Sequence, residues 1–317
     1  VSIQLTAEAE ALLPGLDETV RCSEFSKTIG LAPQGTAIRA DLVVLVPLAL
    51  PWPKPALAHP ELDGLLGTYE SASGPTRLFT HLPVAGQERT VRIFWRDADR
   101  TRTATLQLSD EESIGEQLAP LLADAPLDAG FVEDTRIDAV LICTQGSHDV
   151  CCGTEGTRLA AAFELTHPHI DTYRVSHTGG HRFAPTAMTF PSGRMWADLE
   201  LDDLTAIVNQ TGSPADVAEL CRGWWGAAMG PAQVAEVAVF AQQNWHWEQT
   251  DRYAEAIDHV VGIRNPAGTW TVMTEVSRIV PTIACRAEGG LPAKRASEYR
   301  AVSVTVDTRR GPHETLG

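Results

Sequence analysis

Asp138-Ala139-Val140-Leu141-Ile142-Cys143 is a continuous apolar, β-branched run, the pattern of a strand buried on both faces. Asp41-Leu42-Val43-Val44-Leu45-Val46 is a near copy of it. The likeness continues downstream. Arg77-Leu78-Phe79-Thr80-His81 stands against Tyr173-Arg174-Val175-Ser176-His177, and Leu106-Gln107-Leu108-Ser109-Asp110 against Leu199-Glu200-Leu201-Asp202-Asp203. An offset holding at about 93 to 97 residues is what a duplicated unit with small loop changes gives. Two homologous halves are expected, with Val46 in the place of Cys143 and His81 in that of His177.

Between these marks in the second half, Thr154 to Leu165 reads as a helix and Thr172 to Ser176 as a strand. Ala187 to Leu201 alternates around the turn Pro191-Ser192-Gly193, which predicts a β-hairpin. Strand, helix, strand, hairpin, helix is the order of a thioredoxin-like unit. In the first half Glu111 to Leu122 is the expected closing helix and Ala123 to Asp134 the linker. Beyond Ser213 the pattern changes: Pro214 to Arg222 and Pro231 to Gln243 read as helices. Gly262 to Ile283 and Tyr299 to Val306 read as strands, Ala287 to Lys294 as a loop, and the tail after Thr308 as frayed. The expected architecture is α/β (α+β): a degenerate first unit over 1–134, a ligand-bearing second unit over 135–212, and a C-terminal α+β extension over 213–317.

A chain of 317 residues with 44% hydrophobic and 21% charged residues has the composition of an ordinary globular protein. A net charge of −16 repels phosphate backbones, so no nucleic acid is expected as a partner, and a basic protein surface is. The longest apolar run, Leu42 to Pro53, is broken by Pro47 and Pro51, so no membrane span is expected. The first residues, with Glu8 and Glu10, lack the basic and apolar regions of a signal peptide. Six cysteines spread over so long a chain do not form a secreted disulfide framework, and a reducing cytoplasm is the expected compartment.

The chemistry concentrates in Cys143-Thr144-Gln145-Gly146-Ser147-His148-Asp149-Val150-Cys151-Cys152 and in His177-Thr178-Gly179-Gly180-His181. Thiolates and imidazoles in one short window form a donor set that selects zinc or an iron-sulfur cluster. Taken alone, a His-x3-His is more often a surface turn, and a cysteine at the end of a buried strand more often a small core residue. The doublet Cys151-Cys152 in a Gly- and Asp-containing loop weighs against both plain readings. Gly179 and Gly180 argue for a tight loop that lets backbone approach a bulky group. Structural zinc draws paired thiolates from C-x2-4-C knuckles, and Rieske centres from Cys-x-His pairs; this chain has neither pattern. Nucleophile elbow, Walker A loop and dinucleotide fingerprint are also missing. Asp198, Glu200 and Asp202 fit a solvated strand end better than a glycosidase pair. Trp224-Trp225 and Trp245-His246-Trp247 read as core packing, His167-Pro168-His169 as an exposed loop, and Cys22, Cys221 and Cys285 as structural.

Cys143-x8-Cys152 with its doublet, then Ser176-His177-Thr178-Gly179-Gly180-His181-Arg182-Phe183-Ala184 and Pro191-x-Gly193, resembles the sucrase/ferredoxin-like family of thioredoxin-like 2Fe-2S ferredoxins with bis-histidinyl ligation. The likeness extends to Cys22-Ser23, to Gly35-Thr36-Ala37 and to the helix around Gln233 and Glu236. It implies a 2Fe-2S cluster with Cys143 and Cys152 on one iron and His177 and His181 on the other, and Cys151 as a neighbour. His148 stands where family members often carry a basic residue. Nothing in the sequence suggests sucrase chemistry. The implied function is electron transfer with a redox protein partner, a reductase or acceptor enzyme, and with no catalytic residues. Imidazole ligation implies coupling of electron gain to proton gain. A structural zinc module for interaction, and an iron-sulfur or redox sensor, are the alternatives.

Overall fold

The computed structural model describes residues 5–66, 68–71, 74–97, 100–123, 131–134, 138–147, 149–250, 252–285 and 288–307. His148, the tail from Thr308 and most of the expected linker lie outside them. Helices α1 (Ala7–Glu10) and α2 (Cys22–Thr28) precede β1 (Leu42–Pro47), β2 (Thr68–Ser71), β3 (Gly74–His81), β4 (Thr90–Asp97) and β5 (Arg100–Gln107). Helix α3 (Ile114–Ala123) and β6 (Val132–Asp134) follow. The next half holds β7 (Ala139–Cys143), a π-helical turn at Cys152–Gly156, α4 (Thr157–Thr166), β8 (Asp171–Val175), β9 (Ala187–Phe190), β10 (Arg194–Trp196) and α5 (Leu201–Val208). After it come α6 (Pro214–Val217), β11 (Cys221–Trp224), α7 (Pro231–Phe240), β12 (Tyr253–Ile257), β13 (Val260–Asn265), β14 (Gly268–Thr282) and β15 (Lys294–Asp307).

One eleven-stranded mixed sheet runs β11-β10-β9-β7-β8-β3-β1-β4-β5-β6, with β2 paired to β3. The two halves share a strand-pairing plan, although the described residues between β1 and β3 form short 3-10 turns and β2 where α4 joins β7 to β8. β1 is parallel to β3 and antiparallel to β4, just as β7 is parallel to β8 and antiparallel to β9. They meet edge to edge where β3 pairs antiparallel with β8, His81 opposite Val175, and the Ser176 N–H donates to the Thr80 carbonyl at 2.8 Å. Leu42 pairs with Thr76 and Ala139 with Asp171, which makes Val46 the counterpart of Cys143 but Ser176 the counterpart of His81. The expected match of His81 to His177 is therefore out by one residue, and in a strand one residue exchanges the faces.

The apolar runs are continuous because both faces are covered. Val43 and Leu45 enter one core with Val140, Phe163 and Trp225, while Leu42, Val44 and Val46 enter another with Trp52, Leu62 and Leu118. Three expectations change. Pro214 to Arg222 is not one helix: a capping box of Ser213 and Asp216 starts α6, and the chain then extends into β11, which pairs with β10. Gly262 to Ile283 is broken at Pro266-Ala267, where the Asn265 side chain accepts from the N–H groups of Ala267 and Gly268. His167 is buried, stacked on Phe163 at 4.4 Å between ring centroids.

Helix α7 is wedged between β11 and a second sheet, β12-β13-β14-β15, so its polar residues are buried too. Glu236 accepts from Arg194 at 2.8 and 2.9 Å, from Arg252 at 2.8 Å and from the Trp247 indole at 2.9 Å. Glu248 completes the network on Arg194 at 2.6 Å. Burial opposes ionisation of Glu236, but Arg194 and Arg252 outweigh it and pull its pKa down to about 2. A folded-state pKa below the unfolded one contributes stability that is present above the unfolded value and lost as pH falls through the folded value. About 3 kcal/mol is expected to disappear between roughly pH 4.5 and 2. Urea titrations across that range should show a shallower loss for Glu236→Gln than for wild type; equal slopes would assign the acid sensitivity to other carboxylates.

Candidate metal centre

The parallel strands β7 and β8 end side by side, and the loops leaving their carboxyl ends build the site, the usual place for a ligand in an open α/β sheet. Cys143 is the last residue of β7, and Cys152 opens the π-helical turn that leads into α4. Turns of this kind recur at functional positions. Gln145 fastens the two loops together: its side-chain oxygen accepts from the His177 N–H at 3.0 Å and its amide donates to the Pro53 carbonyl at 2.8 Å. Gly179 and Gly180 have φ of +79° and +71°, so the His177–His181 turn depends on glycine. A Cβ on Gly156 would lie 2.0 Å from the Cys143 carbonyl oxygen. Gly156→Ala is therefore expected to push α4 away from β7, costing about 1–3 kcal/mol, and to lower metal retention. Thermal melts and metal analysis of that variant check it; wild-type values in both would mean that the loop has slack.

Cys143 contacts the Cys152 thiol, the His177 ring and the Thr178 backbone N–H, and these hold its thiol well below the usual range despite complete burial. Cys152 moves the other way, raised by contact with Cys143 and by burial. The same contact thus pushes the two thiols in opposite directions, and their titration belongs to the pair. The His177 and His181 rings are 5.7 Å apart between centroids. His181 turns its Nδ1 to Asp149 at 2.8 Å and to the Cys22 sulfur at 3.0 Å. Cys143 thus contacts both Cys152 and His177, and His181 lies beside His177, oriented by Asp149.

A second group adjoins the first. Atoms of Cys22, Asp149, Cys151 and Cys285 all lie within 4.8 Å of one another, a constellation able to hold a metal ion. The reading of Cys22 and Cys285 as merely structural is corrected here; Cys221 does remain in the core, against Arg194. Cys22 and Cys285 are 263 positions apart, so no local spacing announces them. Two cations were also missed. Arg222, fully buried, donates to the carbonyls of Gly179 and Thr36 at 3.1 and 2.5 Å. Burial and the neighbouring Arg182 lower its pKa to about 9, against the attraction of Cys143 and Cys152. A buried positive charge facing those two sulfurs favours their thiolate forms.

The donors fit a thiolate- and imidazole-bound metal, since two buried sulfurs in contact are both satisfied as thiolates when a cation stands between them. A model of the sucrase/ferredoxin-like family matches residues 34–223, more than half of the chain. The chain belongs to the sucrase/ferredoxin-like family. The matched span of this family member contains Cys143, Cys152, His177, His181 and Arg222 but neither Cys22 nor Cys285. Over 65 residues the chain is 38% identical to altered inheritance of mitochondria protein 32 of Meyerozyma guilliermondii, a match spanning 19% of this chain and 23% of that relative. No solved structure matches.

Proposed function

We propose that this chain is an electron-transfer protein holding a 2Fe-2S cluster through Cys143 and Cys152 on one iron and His177 and His181 on the other. The observation that carries the reading is the contact of Cys143 with Cys152 and His177 at the carboxyl ends of two parallel strands. Support also comes from the shared strand plan of the halves, which suits two tandem thioredoxin-like units. When bound, the cluster supplies a one-electron redox couple. The residues around it orient and shield. Gln145 and Arg222 fix the two loops. Asp149 holds a proton on His181 Nδ1, which leaves Nε2 as the nitrogen for a metal, the usual carboxylate-histidine arrangement. The net charge of −16 favours a redox protein partner, a reductase or an acceptor, with a basic docking face. No helix among the described residues is long and apolar enough to cross a membrane.

Protein purified without air is expected to be red-brown, with iron and acid-labile sulfide in equal amounts. Stoichiometric zinc without sulfide, in cells supplied with iron, overturns the assignment. Voltammetry on the same material tests the proton coupling that imidazole ligation implies. The potential should fall as pH rises, approaching about 59 mV per pH unit for one proton per electron. A potential that stays flat from acid to alkaline pH removes the coupling.

A further inference from the structure

Cys22, Cys151 and Cys285 come from the start of α2, the loop after β7 and the connection between β14 and β15. Their sulfurs meet in one place, beside the buried Asp149 carboxylate. The separations are 3.2 Å for Cys151 to Cys285, 3.3 Å for Cys285 to Cys22 and 3.8 Å for Cys22 to Cys151. A disulfide needs about 2.05 Å and uses only two sulfurs. It would leave the third thiol and the carboxylate without a role. A tetrahedral zinc ion with Zn–S of about 2.3 Å sets its sulfurs about 3.8 Å apart and a carboxylate oxygen about 3.6 Å from each. Asp149 oxygens lie 3.4 and 3.6 Å from the Cys22 sulfur and 3.2 Å from that of Cys285. Every one of these distances is at or slightly inside a tetrahedral edge, so an ion needs only small outward movements.

We propose that Cys22, Cys151, Cys285 and Asp149 bind a second metal, a single divalent ion of the zinc type, distinct from the group around Cys143. Three thiolates select a borderline-soft ion over magnesium or calcium. Binding replaces each S–H bond present by a metal–sulfur bond and releases that proton to solvent, so all three sulfurs bind as thiolates. Asp149 serves both groups: Oδ2 lies 2.8 Å from His181 Nδ1 and 3.4 Å from the Cys22 sulfur, and Oδ1 faces Cys285 and Cys22. Half-buried Cys285 and a surface pocket lined by Lys54, Ser147, Asp149, His181 and Cys285 give the ion a way in. The ion clamps α2 and the β14–β15 connection onto the loop that presents Cys152. These two segments lie outside the span matched by the family model.

The test uses the full chain. Elemental analysis should find one zinc per chain besides any iron, and Cys22→Ser and Cys285→Ser should each lose the zinc while keeping the iron and its colour. Independently, cobalt is titrated into the colourless Cys152→Ser chain after chelation. Intense visible bands of tetrahedral, thiolate-bound cobalt are expected at one equivalent, and they should vanish when Cys285→Ser is added. This arm reads the second site alone, so it can stand if the iron reading fails, and the reverse. Absence of the cobalt bands, their survival without Cys22 and Cys285, or two thiols missing with a mass lower by two hydrogens would each overturn the proposal, the last in favour of a disulfide.

Discussion

Cys152→Ser is expected to bring iron, sulfide and visible absorption to background, whereas Cys151→Ser keeps all three. Consecutive residues entering a helical turn point about 100° apart, so the doublet serves two neighbourhoods. Cys152 faces Cys143, while the Cys151 sulfur lies among those of Cys22 and Cys285 and its backbone N–H donates to Asp149 at 2.9 Å. A ligand that is lost leaves its iron incompletely held. A residue beside the ligands changes affinity by about 10–100-fold. The two variants should therefore differ in kind, and metal and sulfide analysis of both proteins decides it. Loss of the cluster in Cys151→Ser alone would mean that the doublet is used in the opposite sense.

Glu236→Ala is expected to destabilise the chain by about 3–5 kcal/mol, because it leaves two buried guanidiniums, Arg194 and Arg252, with Glu248 as the one carboxylate between them. Against a typical total of about 5–15 kcal/mol, that is enough to unfold much of the protein at modest temperature. Arg194 spans the interior from β10 to α7 and Glu248, so its loss of partner is felt by both sheets. The control is Glu275→Ala at the exposed Arg300–Glu275 pair, for which under about 1 kcal/mol is expected. Urea denaturation of the two variants measures the contrast; comparable losses would show that the interior network has no special weight.

The network and the metal groups differ in how visible they are in the chain. Val140, Leu141 and Ile142 reveal a two-sided buried strand because burial on both faces removes the alternation of an ordinary strand. The hairpin at Pro191-Ser192-Gly193 is equally plain, since Gly193 adopts φ of +66°. Arg194, Glu236 and Arg252 look like three surface charges until α7 is seen wedged between two sheets. The helical spacing of Val234, Val237 and Phe240 predicts an apolar face, yet the polar Gln233 and Glu236, within and beside that face, are also completely buried. Gln233 ends up bonding both the N–H and the carbonyl of Ala37 at 3.0 and 2.9 Å.

Local pattern alone determined the α/β class, the repeated buried strand, and the two windows to inspect, Cys143 to Cys152 and His177 to His181; the family resemblance singled out Cys152 from its doublet. These depend on short-range periodicity and on ligand spacing within a window of about forty residues, which a chain displays without folding. Tertiary structure decided the rest: the one-residue slip that sets His81 apart from His177, the turn of His181 toward Asp149, the burial of Arg222, and the meeting of Cys22 and Cys285 with Cys151. The reason is distance along the chain. Cys22 and Cys285 are brought together by the packing of α2 and the β14–β15 connection over the ends of β7 and β8, and no spacing rule reaches across 263 positions.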